Sequence, residues 1–427
     1  MFRSSELWLL SMAKHLTPIL GLPGTLDLRA LGVICAVLVV FVPGPLALRI
    51  VIASLVGLLA ADSMVAEFFI SPYSEPAELI ATLALCPALL ALWQRGHTTW
   101  PRLAVVGFLA MVVFGSKTPA AALLPAVVIA LLWLPHGPAQ AVAGAGRGAA
   151  RALRWLKARV PGLTVAVILV AATGYFVVSS PAGLTQQNIY NSVFGQILPH
   201  SSDRAADLRA LGADPSLASA SGSTFEDPNA ASLRPPYLAF RSQVTETSIV
   251  KFYLTHPTAL LGAGSDGLKA VDHWHQDYLG SYLPNSGHRA GAIESRLGVY
   301  QAIFQNAWEP VLVLFWLATL YVGVRTARRR NLAVAVRSVG MLTVFVAVGS
   351  FTEFWAVMIS NGFGDSYRHM VLTNMLMALG LPLMIACGML RVRTRLRAMA
   401  DTADTLVTSD DRRSRTAQTL SGAGGNR

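Results

Sequence analysis

Cysteine is scarce in this sequence, and its scarcity excludes whole classes of chemistry. Only Cys35, Cys86 and Cys387 occur in 427 residues. Each stands inside an apolar run, with no metal-binding or redox spacing, so all three read as small core residues. Charge is scarce as well: 13% of residues are charged and 53% are hydrophobic. Acids are the rarer sign, 23 against 34 Lys and Arg, which leaves a formal net charge of +11. That excess does not point to nucleic acid, because the bases cluster beside apolar runs, which is how membrane topology is written. A P-loop, a dinucleotide fingerprint and a GxSxG elbow are all missing, so a cytoplasmic nucleotide-driven mechanism has no support. Also missing is a cleavable signal peptide: "ELWLLSMAKHLTPIL" is broken by Lys14 and His15 and reads as an interfacial helix.

What is present is a series of apolar runs long enough to cross a bilayer. Hydropathy places spans near 29–43, 46–61, 77–93, 102–116, 119–135, 161–179, 307–324, 334–357 and 370–390. The cations sort between them: Arg95 and Arg102 in one connection, then Arg147, Arg151, Arg154, Lys157 and Arg159 in the next. Arg325, Arg328, Arg329 and Arg330 make a third group, and Arg391, Arg393, Arg395 and Arg397 follow the last span. With alternating helices all four groups share one side, which positive charge marks as cytoplasmic.

The expected fold class is therefore an all-α polytopic membrane protein of about nine transmembrane helices with one large extracytoplasmic loop domain. Its expected organisation begins with an amphipathic interfacial segment over 1–28 and six transmembrane helices within 29–180. A loop domain follows over 181–306, then three transmembrane helices within 307–390 and a basic, disordered cytoplasmic tail over 391–427. Within the loop domain "ETSIVKFYLTHPTALL" reads as a helix along the membrane surface. The localisation is the cell membrane, with any site facing the extracytoplasmic side. Membrane lipids are the immediate partners, and nucleic acid is not one.

The same alternation collects ionisable residues at the outer helix ends: Asp62, Glu67, Glu75, Lys117, Glu353, Asp365, Arg368 and His369. Charge at membrane depth is costly and tends to face an interior cleft. The stretch "EFFISPYSEPAEL" carries three acids and no cation, and Pro72 and Pro76 stiffen it around Tyr73 and Glu75 just before a helix begins. The helix dipole alone gives Glu78 a reason to be there. Glu75 and Asp62 are the candidate catalytic acids. Lys117, Arg368 and His369 are the candidate phosphate ligands, since a guanidinium fork matches phosphate oxygens, and Tyr73 and Asp365 support them. His273 and His275 stand two residues apart with no third ligand evident, so no metal site is assigned. No cofactor is expected, and a requirement for a divalent metal stays open.

Several short motifs carry a resemblance: "YSEP" after a span, "SKTP" at the next outer turn, "NIYNSVFGQILP" and "LRALG" in the long loop, "FYLTHP" within it and "YRHM" before the last helix. Together they resemble bacterial polytopic hexosyltransferases of cell-surface glycan synthesis, which are similar to the GT-C class of membrane glycosyltransferases. The resemblance covers about residues 25–390. It implies transfer of a sugar from a polyprenyl-phosphate-linked donor to a cell-surface glycan acceptor on the outer face. It also implies a cytoplasmic N-terminus, one span and an outer loop bearing an acidic catalytic residue before the segment at which this sequence opens. The start is accordingly read as late, truncated or divergent, and that family acid falls on no residue here. Three rivals remain beside this reading: a glycan polymerase or ligase using lipid-linked oligosaccharide, a transporter, and a noncatalytic envelope scaffold. A transporter would show charges in mid-span and broken helices in matched halves, and few mid-span charges are present.

Overall fold

In a computed structural model of the chain, residues 14–19, 54–59, 61–62, 65, 67–68, 75–94, 99–133, 149–272, 282, 285–289, 291–293, 298–360 and 366–422 are described. All regular structure among them is helical, with no strand. Five helices are long and apolar enough to cross a membrane: Glu75–Gln94, Arg159–Val178, Glu309–Arg328, Val334–Ser360 and Val371–Leu396. Two shorter apolar helices, Trp100–Ser116 and Pro119–Leu132, lie between the first two. The protein is thus a multi-pass, all-helical membrane protein, and seven of the nine expected spans correspond to these helices. The run at 29–43 and most of the run at 46–61 lie outside the described residues.

Burial ranks the spans. The Glu75 and Val334 helices have 78% and 72% of their spanning windows buried inside the protein, whereas Arg159–Val178 and Glu309–Arg328 have only 28% and 33%. The first pair forms the centre of the bundle and the second faces outward with apolar side chains such as Val167, Ile168 and Leu314 exposed. Small residues set the closest approach. A Cβ on Gly340 would stand 2.6 Å from the Ala327 amide nitrogen, and one on Gly323 would stand 2.9 Å from that of Val344. The Glu309 and Val334 helices therefore touch backbone to backbone, as membrane helices do where glycine permits it. Near the opposite end of the same pair, Trp316 Nε1 donates to Ser350 Oγ.

Residues 182–272 form short helices with an apolar core of their own, including Tyr190, Phe194, Leu217, Phe240 and Phe252. Within it, Gln196 Nε2 donates to Asp266 Oδ2 at 3.0 Å and His200 Nε2 hydrogen-bonds the same oxygen, tying two helices together. This segment packs on the C-terminal end of the Val334 helix: Gly267 leaves room for Phe354 and Met358, and Ser192 Oγ donates to the Ile359 carbonyl at 3.2 Å.

Two expectations change. The stretch read as one surface helix is two, Glu246–Thr255 and Pro257–Asp272. Thr245 opens the first with a capping box, and His256 breaks the helix because a residue before proline is driven from helical geometry. The tail read as disordered continues the last helix, which runs from Val371 to Gly422. No glycine or proline interrupts it between Gly388 and Gly422, so its polar composition removes no backbone hydrogen bond.

Candidate functional site

Chain direction brings four helix ends together. The Glu75 helix starts where the Trp100 helix ends, and the Val334 helix ends where Ser366–His369 leads into the Val371 helix. Lys117 caps the Trp100 helix in extended conformation, and a short helical turn, Pro119–Leu123, follows at once, so the ammonium is held in a two-residue corner. Arg368 and His369 occupy the short turn before the last helix, with the Met370 amide bonded back to the Ser366 carbonyl at 2.9 Å.

These elements meet at Glu75. Its Oε1 accepts a hydrogen bond from Lys117 Nζ at 2.8 Å and stands 3.3 Å from Arg368 Nε. The carboxylate is 1% exposed, and its other oxygen has no hydrogen-bond partner. One turn along, Glu78 is equally buried, and neither of its oxygens has a partner, although Lys117, Glu75 and Arg368 are all within electrostatic reach. Glu353, near the end of the neighbouring central helix, faces Glu78 and Lys117, and its Oε2 is also buried without a partner. Two carboxyl groups thus lie within reach of both cations and a third within reach of Lys117, and Glu75 touches both.

His369 completes the group. Burial and the neighbouring Lys117 and Arg368 hold its imidazole well below its ordinary titration range, so it is neutral near pH 7, and its Nδ1 is buried without a partner. The same helix ends carry further buried oxygens with no partner, those of Thr82, Ser366, Thr373 and Asn374. Buried polar atoms are nearly always satisfied in native structures, so a concentration of exceptions at one end of the bundle is informative.

The structure brings together Glu75, Lys117, Arg368 and His369 of the residues expected from the sequence. It places Asp62 elsewhere: this fully buried carboxylate accepts from the amides of Tyr300 and Gln301 at 2.8 and 3.2 Å, capping the helix Val299–Phe304. Tyr73 and Asp365 lie outside the described residues, as do His273 and His275. Glu78 was legible only as a dipole partner, yet its i, i+3 spacing from Glu75 puts both acids on one helix face. Glu353 had a plainer signal, since it is the only acid in the Val334–Ser360 helix. Among the described residues no group of three or more His, Cys, Asp or Glu side chains is placed to hold a metal ion.

A family model described as the YfdI N-terminal transmembrane domain matches residues 1–406. The chain belongs to this family. Every member of the buried cluster falls inside the matched YfdI-type domain, as does the helical segment packed over the Val334 helix. No curated protein and no solved structure matches the chain.

Proposed function

We propose that this protein is an integral membrane glycosyltransferase that moves a sugar from a polyprenyl-phosphate-linked donor to a cell-envelope glycan acceptor on the outer face. The observation that supports it most is the pairing of Lys117 and Arg368 on Glu75 beside the partnerless oxygens of Glu78. In this reading Glu75 positions the two cations, and they stabilise the phosphate that departs with the lipid. Glu78 accepts the proton of the acceptor hydroxyl as that oxygen attacks the anomeric carbon and the bond from that carbon to the phosphate oxygen breaks. Neutral His369 offers a hydrogen bond rather than a charge. The Arg-rich ends of the helices lie at the other end of the bundle, which by the charge rule is cytoplasmic and leaves the cluster outside. The segment 181–306, with its short helices between Ala182 and Asp272, is then an extracytoplasmic domain above the site. The charge cluster, at helix ends rather than in mid-span, favours group transfer at the membrane edge over transport.

The test uses the full chain in nanodiscs, radiolabelled polyprenyl-phosphate hexoses and an envelope-glycan extract of the source cells. Arg368→Ala is expected to reduce sugar transfer by about a hundredfold or more, and Arg368→Lys to restore little, because the fork is lost. Glu78→Gln is expected to fall by about a hundredfold with the protein still monodisperse. Transfer at the wild-type rate by Arg368→Ala, at matched folded protein, removes the phosphate assignment.

A further inference from the structure

A cleft of about 520 Å³ lies beside the cluster, between the C-terminal end of the Trp100 helix and that of the outward-facing span Arg159–Val178. Its volume falls within the ~300–1,000 Å³ of ordinary small-molecule sites. The inner wall is Lys117, the same residue whose ammonium reaches Glu75. The outer wall is Tyr175 and Phe176, and the rim carries the hydroxyls of Thr118, Ser179 and Ser180. Thr118 and Ser180 face one another at 3.5 Å, a contact at the limit of hydrogen bonding, and the two serine hydroxyls bond back only to the Phe176 carbonyl at 3.2 Å. All three can be redirected to a ligand at small cost.

The position of the cleft identifies what enters it. Both bordering helices turn apolar side chains outward: Phe108 is exposed on one, and Val167, Ile168 and Val170 on the other. Those faces meet lipid, so the cleft opens sideways into the bilayer, at the level where a helix ends and a headgroup lies. Its far end is a cation. A molecule with a long apolar chain and an anionic head fits both ends at once, with its head at Lys117 and its chain left among lipids.

Resting on the reading that the donor is a lipid phosphate, we propose that this cleft is the lateral entry and headgroup site for the polyprenyl phosphate. The phosphate enters past the rim hydroxyls of Thr118 and Ser180 and reaches Lys117 and then Arg368 without leaving the membrane edge. Tyr175 and Phe176 flank the first isoprene units. The chain therefore never crosses the bundle, whose central helices stay packed through transfer.

The experiment places a photocrosslinking amino acid at Tyr175, at Ser180 or, as a control on the same lipid-facing helix, at Val167. The full chain is set in nanodiscs of phosphatidylethanolamine and phosphatidylglycerol containing radiolabelled polyprenyl phosphate. Saturable labelling at 175 and 180, absent at 167, competed by unlabelled polyprenyl phosphate but not by inorganic phosphate or added phosphatidylglycerol, is the expected result. Competition by phosphatidylglycerol, or equal labelling at 167, means that the cleft holds bulk lipid, and overturns the proposal. Competition by inorganic phosphate alone assigns a soluble anion and overturns it too. Two plugging variants, Gly115→Leu and Ser180→Trp, leave Lys117 and Arg368 in place and are expected to lower labelling at Tyr175 and sugar transfer by about tenfold. If they transfer at the wild-type rate while Arg368→Ala does not, the donor arrives by another route. The entry site then falls while the transferase reading stands.

Discussion

Replacing Glu75 by Gln keeps the volume of the side chain and removes the one charge that lies between Lys117 at 2.8 Å and Arg368 at 3.3 Å. Lys117 and Glu75 have side-chain exposures of only 11% and 2%, so water cannot replace the lost partner. At an effective dielectric of about 20, each contact at roughly 3 Å corresponds to about 5 kcal/mol of attraction. Desolvation consumes most of that in the intact pair, yet the desolvated cations remain in the variant. Breaking a buried pair from one side costs about 3–5 kcal/mol. Glu75→Gln is expected to lose that much in detergent-solubilised unfolding. The double variant with Lys117→Met should lose less than the sum of the singles, with a coupling of about 2–3 kcal/mol, as befits residues in contact. A double-mutant cycle with Arg368→Met should give a smaller coupling of the same sign, since that side chain is 24% exposed. Additive singles, or a Glu75→Gln protein within about 0.5 kcal/mol of wild type, would refute the bridging geometry.

Four further outcomes follow from other parts of the molecule. His369 titrates near 6.5 when unfolded and well below that when folded; between the two values the unfolded chain binds the extra proton, so stability falls as pH drops below about 6.5. His369→Gln should flatten that slope, and an unchanged slope would move its origin to another group. Gly340→Leu should cost at least about 3 kcal/mol, because the new side chain meets the Ala327 backbone, and the test is the yield of monodisperse protein beside Gly388→Leu, where a Cβ meets nothing within 4 Å. Asp62→Ala should destabilise by about 1–3 kcal/mol through the two amides left behind, with transfer per folded molecule preserved; lost transfer at full stability would instead make it catalytic. Single cysteines at Ala150, Arg328 and Arg395, in a chain without its native cysteines, should resist a membrane-impermeant reagent in intact cells while one at the exposed Asn229 reacts; the reverse pattern inverts the orientation.

The helices from Glu75 onward were legible because membrane spans announce themselves by length and apolarity, which the bilayer imposes whatever the packing. The ends of these helices were legible through charge, and that was enough to group Glu75, Lys117, Arg368 and His369 although up to 294 positions separate them. Depth was not legible. Glu78 at a helix start looks the same in sequence whether it meets water or, as here, the centre of a bundle, so a dipole role seemed sufficient. The setting of Asp62 was not legible either: it accepts from backbone amides 238 and 239 residues away, and no side-chain pattern marks an amide as available. The tail's helix was missed because polar composition speaks to the absence of a core and not to helix propensity, and few of its residues break a helix.

The distribution of acids among the spans carries the functional argument one step further. The most deeply buried pair, the Glu75 and Val334 helices, holds Glu75, Glu78 and Glu353, while the lipid-facing span Arg159–Val178 holds no acid at all. A carboxylate on a lipid-facing helix would have no partner, so the acids belong at the centre, and the cations reach them from a corner and a short turn at the ends of neighbouring helices. A cluster that served stability alone would close its hydrogen bonds, since a half-satisfied buried network is worse than an apolar core. This one leaves both oxygens of Glu78, one each of Glu75 and Glu353, and a ring nitrogen of His369 without partners. Three of those groups are acceptors waiting for a donor, and the Lys117 ammonium beside them has three donors and one bond to Glu75. A ligand that complements the set must carry hydroxyl groups for the carboxylates and an anion for Lys117 and Arg368, close enough together to be met by one carboxylate's neighbours. A glycosyl phosphate, the donor class of the function proposed above, carries both on one headgroup, and a free sugar lacks the anion.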